Sequence, residues 1–286
     1  MTSNPSIAVL LTCHNRKEKT LQCLSKLYAQ QGVEVDFSIE VFLVDDASTD
    51  GTVAAINIQF PNVNIISGDG NLYWNRGMHL AWQTAANTKD FDYYLWLNDD
   101  TYLFSTALQS LLNCSQLSNR RSAICGSTLS VKTNTISYGG FSKDSKLLIP
   151  NGKLQEAYTI NGNCVFIPKY VFKTIGFLDK RFPHAIGDFE YGLRIRKHNL
   201  SSFISTDYVG SCESNDKLPL WCSPEVSINQ RIKSLYSPLG NSHPYYYFLF
   251  EYEYYGVWTA IKHFLTIHLR LIFPTIWILK NRLFFK

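Results

Sequence analysis

Tyr93, Tyr94, Leu95, Trp96 and Leu97 run directly into Asn98, Asp99, Asp100 and Thr101. Five apolar residues ending in two carboxylates read as a buried strand that emerges at the ligand-binding edge of an open α/β sheet. Adjacent carboxylates at such an edge repel unless a cation sits beside them. Oxygen donors suit a hard ion, Mg²⁺ or Mn²⁺, of the kind commonly shared with substrate phosphates. Taken alone, the pair reads first as a solvated turn whose Asp99 or Asp100 caps the next helix, and only the rest of the chain reverses that. Two further acidic positions belong beside it. Asp46 closes another apolar run, and Asp188 opens a helical stretch. Asp46 can accept a hydrogen bond from a base N–H or a ribose hydroxyl. Asp188 is either a helix N-cap or a general base.

The elements that must position these residues alternate. Residues 7–12 read as a first strand, followed by a helix with Leu21, Leu24, Leu27 and Tyr28 on one face and Gly32 beyond it. Residues 37–44 read as a second strand leading into the polar loop 45–52 and a short helix. A third strand over 63–66 precedes Gly68, Asp69, Gly70 and a helix to about Asn87, and 93–97 completes the half. This alternation predicts a parallel sheet with right-handed crossovers. The loops 12–16, 45–52, 68–75 and 98–101 then gather along its carboxyl edge. Beyond residue 101, strands over 124–131, 135–138 and 163–167 and a helix over 188–198 predict a mixed continuation of the same sheet. A loop over about 211–224 leads to C-terminal helices.

Common phosphate-binding loops are missing. No Gly-x-x-x-x-Gly-Lys-Ser/Thr occurs, Tyr73 stands where a dinucleotide fingerprint needs its third glycine, and no Gly-x-Gly-Thr-Arg follows the first strand. A nucleotide would be held without such a cradle, with an ion neutralising its diphosphate.

Taken in order, Thr12-Cys-His-Asn15-Arg16, Asp45-Asp46-Ala-Ser-Thr-Asp-Gly-Thr52, Asn71-Leu-Tyr-Trp-Asn75-Arg-Gly77, Asn98-Asp-Asp-Thr101 and Gly187-Asp188-Phe-Glu190 resemble the motifs of family 2 glycosyltransferases. The resemblance covers about the first 210 residues and extends to bacterial surface-polysaccharide, rhamnosyltransferase-like members. It implies an α/β GT-A fold, a Rossmann-like mixed sheet flanked by helices, with a C-terminal helical extension. The implied organisation is a GT-A domain over 1–240, with a nucleotide-binding half over 1–101, an acceptor-binding half over 102–210, and an extension over 241–286. By position, Thr12, Asn15 and Asp46 would hold base and ribose, Asn71 would lie nearer the diphosphate, and Asn98 would stand in the metal motif beside the ligands Asp99 and Asp100. Asp188 matches the general base. The implied reaction is an inverting transfer, dependent on Mn²⁺ or Mg²⁺, from a UDP-sugar or dTDP-rhamnose to a saccharide or lipid-linked saccharide. The alternative is a catalytically silent module that binds nucleotide sugar or glycan as a scaffold; the missing glycine-rich loop disfavours a nucleotidylyltransferase. In some relatives a late histidine completes the metal shell, and His243 lies in that region, although Ser242-His243-Pro244 reads first as a turn. Trp74 and Trp96 fall in apolar periodic segments and read as core. Glu190 reads equally as a residue that orients the acceptor or as the (i, i+4) partner of Arg194.

Composition sets outer bounds. With 286 residues, 45% hydrophobic and 17% charged, the chain can bury a sizeable core. The net charge of +4 is mild, and no basic cluster interleaved with aromatics suggests nucleic-acid binding. Seven scattered cysteines without a Cys-x-x-Cys pair argue for a reducing compartment. No signal-like segment opens the sequence, so a cytoplasmic protein is expected. Residues 245–286 mix aromatic, aliphatic and basic side chains. They suit either a helix in a membrane interface, on the inner face of the plasma membrane, or an appendage packed on the main domain.

Overall fold

The computed structural model describes residues 4–214 and 218–275. They fall into two compact units. The first comprises residues 1–180 and 187–214, and the second residues 181–186 and 215–286.

The first unit begins β1 (Ser6–Cys13), α1 (Lys17–Tyr28), β2 (Ser38–Asp45), α2 (Thr52–Gln59), β3 (Asn64–Ser67), α3 (Tyr73–Thr88) and β4 (Tyr93–Leu97). It continues through β5 (Tyr102–Leu103), α4 (Ala107–Leu117), β6 (Ala123–Ser130), β7 (Thr135–Tyr138), β8 (Gly140–Phe141), β9 (Gln155–Ala157) and β10 (Thr159–Ile160). It closes with β11 (Cys164–Pro168), α5 (Lys169–Ile175), α6 (Gly187–Lys197) and β12 (Ser202–Ser211). Strand order is β3-β2-β1-β4-β11-β6-β12-β5. The first four strands are mutually parallel. β11 enters antiparallel between β4 and β6. The sheet is therefore mixed, as the motif order implied.

Alternation along the strands builds two core layers. Ile7, Val9 and Leu11 of β1 pack on one face with Cys23, Leu24 and Leu27 of α1 and Leu108 and Leu111 of α4. Ala8 and Leu10 face the other way, toward Met78, Ala81 and Trp82 of α3 and Tyr191 and Ile195 of α6. β4 lies between parallel and antiparallel neighbours with both faces covered, and all five of its residues are buried. That is why its sequence reads as an unbroken apolar run.

β12 lies in a stretch for which the sequence predicts no element, since 202–211 carries no continuous apolar alternation. It pairs in parallel with β6, with register shifts at Ile204/Tyr208 and Tyr208/Gly210. Ser202 and Ser205 are buried in it, so small hydroxyl side chains occupy positions where strands more often carry β-branched ones.

The second unit holds a short 3₁₀ turn (Leu220–Cys222), α7 (Ile228–Leu235), α8 (Pro244–Tyr255) and α9 (Val257–Ile272). The Ser227 hydroxyl accepts the Gln230 N–H at the start of α7. Pro244 takes the first helical position of α8. Trp221, Cys222, Leu235, Ile267 and Leu271 form its core, and Arg231 donates to the Leu271 carbonyl at 2.7 Å. Residues 218–240 and 241–275 fall in this same unit. Residues 276–286, the end of the mixed aromatic, aliphatic and basic stretch 245–286, lie outside the described residues. Among the described residues no helix is long and apolar enough to cross a membrane.

Trp82 is fully buried and lies 5.1–5.8 Å from the rings of Tyr94, Trp96, Phe172, Phe177 and Tyr191. Trp82→Ala is expected to lower unfolding free energy by about 3–5 kcal/mol, read as a shift in the urea midpoint of the first unit.

Candidate active site

The four predicted loops do meet at the carboxyl ends of the parallel strands. Cys13 of β1 is in register with Asp45 of β2, and Asp45 with Ser67 of β3. Three non-glycine residues there adopt positive φ: Asn15 at 51°, Ala47 at 60° and Tyr73 at 57°. Each such conformation costs roughly 1–2 kcal/mol, and strain of this kind clusters at functional sites.

Asp46 is 4% exposed. Its Oδ1 accepts the Gly70 N–H at 2.8 Å, and its Oδ2 accepts those of Leu72 at 3.0 Å and Tyr73 at 2.9 Å. A carboxylate offers about four acceptor positions. Three are taken by the 70–73 backbone, so Asp46 first of all shapes this loop, a duty the sequence did not suggest. Asn71, exposed on the same loop, donates its backbone N–H to Asp69 at 2.9 Å. Asn15 accepts the Thr49 N–H at 2.7 Å, tying the β1 loop to the β2 loop. Thr12 packs against the backbone of α3 at Gly77, where any Cβ would collide with its hydroxyl.

The acidic pair after β4 splits by environment. Asp99 turns inward and is 4% exposed. Its Oδ2 lies 3.3 Å from Arg16 Nε and accepts the Thr20 hydroxyl at 3.4 Å. Burial pushes its pKa up to about 7, Arg16 pulls it back, and Asp100 raises it further. Asp100 sits at the rim. Its Oδ2 pairs with the Arg16 guanidinium and lies 3.7 Å from Lys19 Nζ, and its Oδ1 is 3.9 Å from Cys212 Sγ. Sequence reasoning overlooked Arg16 and Lys19 as partners. The available signal was two cations just after β1 facing two carboxylates after β4.

A divalent ion fits this arrangement in one way. Among the described residues no three His, Cys, Asp or Glu side chains converge as a cage. Mg²⁺-type ions, however, are commonly held by one or two carboxylates plus substrate phosphates. Asp100 is the carboxylate with an oxygen at the rim, and Asp99 stands behind it. His243 precedes α8 in the second unit, its pKa lowered by burial.

Asn98 connects this loop to Asp188. The Asn98 carboxamide oxygen accepts the Trp74 indole N–H at 2.6 Å, and its backbone N–H donates to the Asn163 carbonyl at 2.9 Å. Gly162, the residue before Asn163, donates its N–H to Asp188 Oδ2 at 2.8 Å. A Cβ on Gly162 would strike the Trp74 ring and stand 3.2 Å from Asp188 Cβ, so only glycine lets indole and carboxylate flank this backbone. Asp188, half-buried at the start of α6, also accepts the Phe189 N–H at 2.9 Å. Burial raises its pKa to about 6, against those two hydrogen bonds. Trp96 is core as expected, whereas Trp74 is only partly so and serves the site through its N–H. Glu190 pairs with Arg194 at 2.9 Å.

A parallel half-sheet with acidic loops along its carboxyl edge, continued by the antiparallel β11 and followed by α6 with Asp188 at its start, is the GT-A architecture. The chain belongs to glycosyl transferase family 2, whose profile matches residues 8–176. That membership makes glycosyltransferase its class. No curated protein matches it in sequence. Solved structures share the fold. S. aureus TarS aligns with a TM-score of 0.52 at 13% identity, over 83% of this chain and 41% of TarS. TarS 1–349 in complex with UDP gives 0.53 at 13% identity, over 83% of this chain and 68% of that one. The mannosyltransferase PcManGT from Pyrobaculum calidifontis, in complex with GDP-Man and Mn²⁺, gives 0.54 at 14% identity, over 92% and 74%. The chain thus spans 41% of the length of the longer TarS structure.

Asp46→Ala is expected to leave three loop N–H groups without their acceptor, at about 1–3 kcal/mol for each that stays buried. Hydrogen–deuterium exchange should rise at Gly70, Leu72 and Tyr73 while the amides of β1 and β4 stay protected.

Proposed function

We propose that this chain catalyses an inverting transfer of a sugar from a nucleotide diphosphate sugar to an acceptor hydroxyl, with Mn²⁺ or Mg²⁺ as cofactor, in polysaccharide or glycoconjugate biosynthesis. The observation that carries the reading is the link from Asp99 and Asp100 through Asn98, Trp74 and Gly162 to Asp188. It sets a cation-holding loop and a second carboxylate in one neighbourhood. Single-displacement inversion requires a base on the face opposite the leaving group.

Asp188 is that base. With a pKa raised to about 6 it is ionised at neutral pH, yet a stronger base than an ordinary carboxylate. It takes the acceptor hydroxyl's proton as the oxygen attacks the anomeric carbon. The bond from that carbon to the diphosphate breaks, and the nucleoside diphosphate departs with the electron pair. A divalent ion at Asp100, backed by Asp99, would supply positive charge beside the diphosphate. Thr12, Asn15 and the remaining acceptor position of Asp46 hold base and ribose, Asn71 reaches toward the diphosphate, and Asn98 keeps the loop in place. Residues 1–101 form the nucleotide half and 102–210 the acceptor half.

The UDP complex of TarS 1–349 and the GDP-Man and Mn²⁺ complex of PcManGT support a nucleotide sugar and a divalent ion. A UDP-sugar is the first donor to test and dTDP-rhamnose the second. The acceptor is a saccharide or lipid-linked saccharide, and residues 245–286 meet the membrane on its cytoplasmic face. α9 supports this through its exposed Trp258, Ile261, Leu265, Leu269 and Ile272, spaced along one stripe beside basic residues.

With Mn²⁺ and the correct donor and acceptor, the protein should release free nucleoside diphosphate. Asp188→Asn is expected to lower kcat by about 10²–10⁴-fold, and Asp100→Ala to abolish the stimulation by Mn²⁺. The acid limb has a definite sign: the base form fills as pH rises, so kcat/KM should climb through about pH 6. Donor binding without turnover, unaltered in both variants, would identify a scaffold instead.

A further inference from the structure

A groove of about 950 Å³ lies wholly within the second unit, a volume suited to a small ligand. It is lined by the 3₁₀ turn, one face of α7, the segment that follows α7, and His184 and Ala185. Leu220, Trp221, Val226 and Leu239 give it apolar walls. Lys233, Gln230, Asn241 and His184 supply polar groups. Gln230 and Lys233 are three residues apart on α7 and therefore share a face.

The charge is one-sided. None of these lining residues is acidic, and Lys233, exposed on its helix, makes no ion pair among the described residues. The apolar rim faces water, with Leu220 60% and Leu239 56% exposed. Trp221 is no open platform for a base or a sugar ring. It is 4% exposed, and the Arg270 guanidinium lies 5.3 Å from its ring centroid. An uncovered apolar wall beside the Lys233 ammonium group matches a ligand with an anionic head and an apolar chain.

We propose that this groove binds the phosphate end of a lipid. Lys233 pairs with the phosphate, as lysine does at many phosphate sites, and Gln230 and Asn241 donate hydrogen bonds to its oxygens. Leu220 and Leu239 cover the first carbons of the chain. α9, in the same unit, carries the exposed apolar stripe that an interfacial helix requires. The assignment goes beyond the transfer reaction and would hold for a chain that transfers nothing.

Calorimetry on the full chain, without donor or metal, tests it with three probes: decyl phosphate below its micellar concentration, decyl glucoside and inorganic phosphate. Decyl phosphate should bind at least about tenfold more tightly than either control, a difference of about 1.4 kcal/mol. Lys233→Gln should remove that advantage. Leu220→Ser and Leu239→Ser should weaken decyl phosphate and leave inorganic phosphate unchanged. All three side chains are exposed, so unchanged melting temperatures are expected. Equal binding of decyl glucoside, undiminished binding by Lys233→Gln, inorganic phosphate binding as tightly as decyl phosphate, or no binding of decyl phosphate would each overturn the proposal.

Discussion

The site depends on how two neighbouring carboxylates are kept at the end of a fully buried strand. β4 is covered on both faces, and it delivers Asp99 and Asp100 to the sheet edge. Asp99 is taken almost wholly out of water, which is costly for an ionised group without a partner. Arg16, from the loop after β1, spans both side chains and offsets that cost. The same contact draws the β1 and β4 loops together. Electrostatics and loop placement are therefore one constraint.

Three aspartates show how environment divides the labour of one residue type. Asp46 accepts three backbone N–H groups and so orders the loop that follows β3. Asp99 is buried against Arg16 and has its pKa raised to about 7. Asp188 is raised to about 6, and its partners are backbone N–H groups rather than a cation. With backbone N–H groups rather than a cation against it among the described residues, it keeps a raised proton affinity. Asp100 differs from all three by remaining at the rim, where an ion carried by a diphosphate would meet it.

Much of this was legible in the sequence where one physical rule dominated. Parallel strands buried on both faces must be apolar, so β1, β2 and β4 were visible, and their order fixed which loops share an edge. β12 was not visible, because Ser202, Ser205 and the interrupted register with β6 replace an apolar alternation. The partners of the site residues were hidden as well. Nothing in a linear reading says that the acceptor positions of Asp46 are filled by backbone groups at 70–73. Nor does it say that Trp74, apparently a core residue, turns its N–H to Asn98. Such pairings depend on loop conformation, including positive φ at Ala47 and Tyr73, which neither residue type advertises.

The central claim is that Asp100 and a nucleoside diphosphate share one divalent ion. Electron paramagnetic resonance of free Mn²⁺, titrated into the protein with and without UDP, GDP or dTDP, tests it most directly. The account predicts weak uptake by the protein alone and much tighter uptake, beyond that of nucleotide in buffer, with at least one of these diphosphates. The gain should disappear in Asp100→Ala. Uptake that no nucleotide strengthens, or that survives the loss of Asp100, would contradict it.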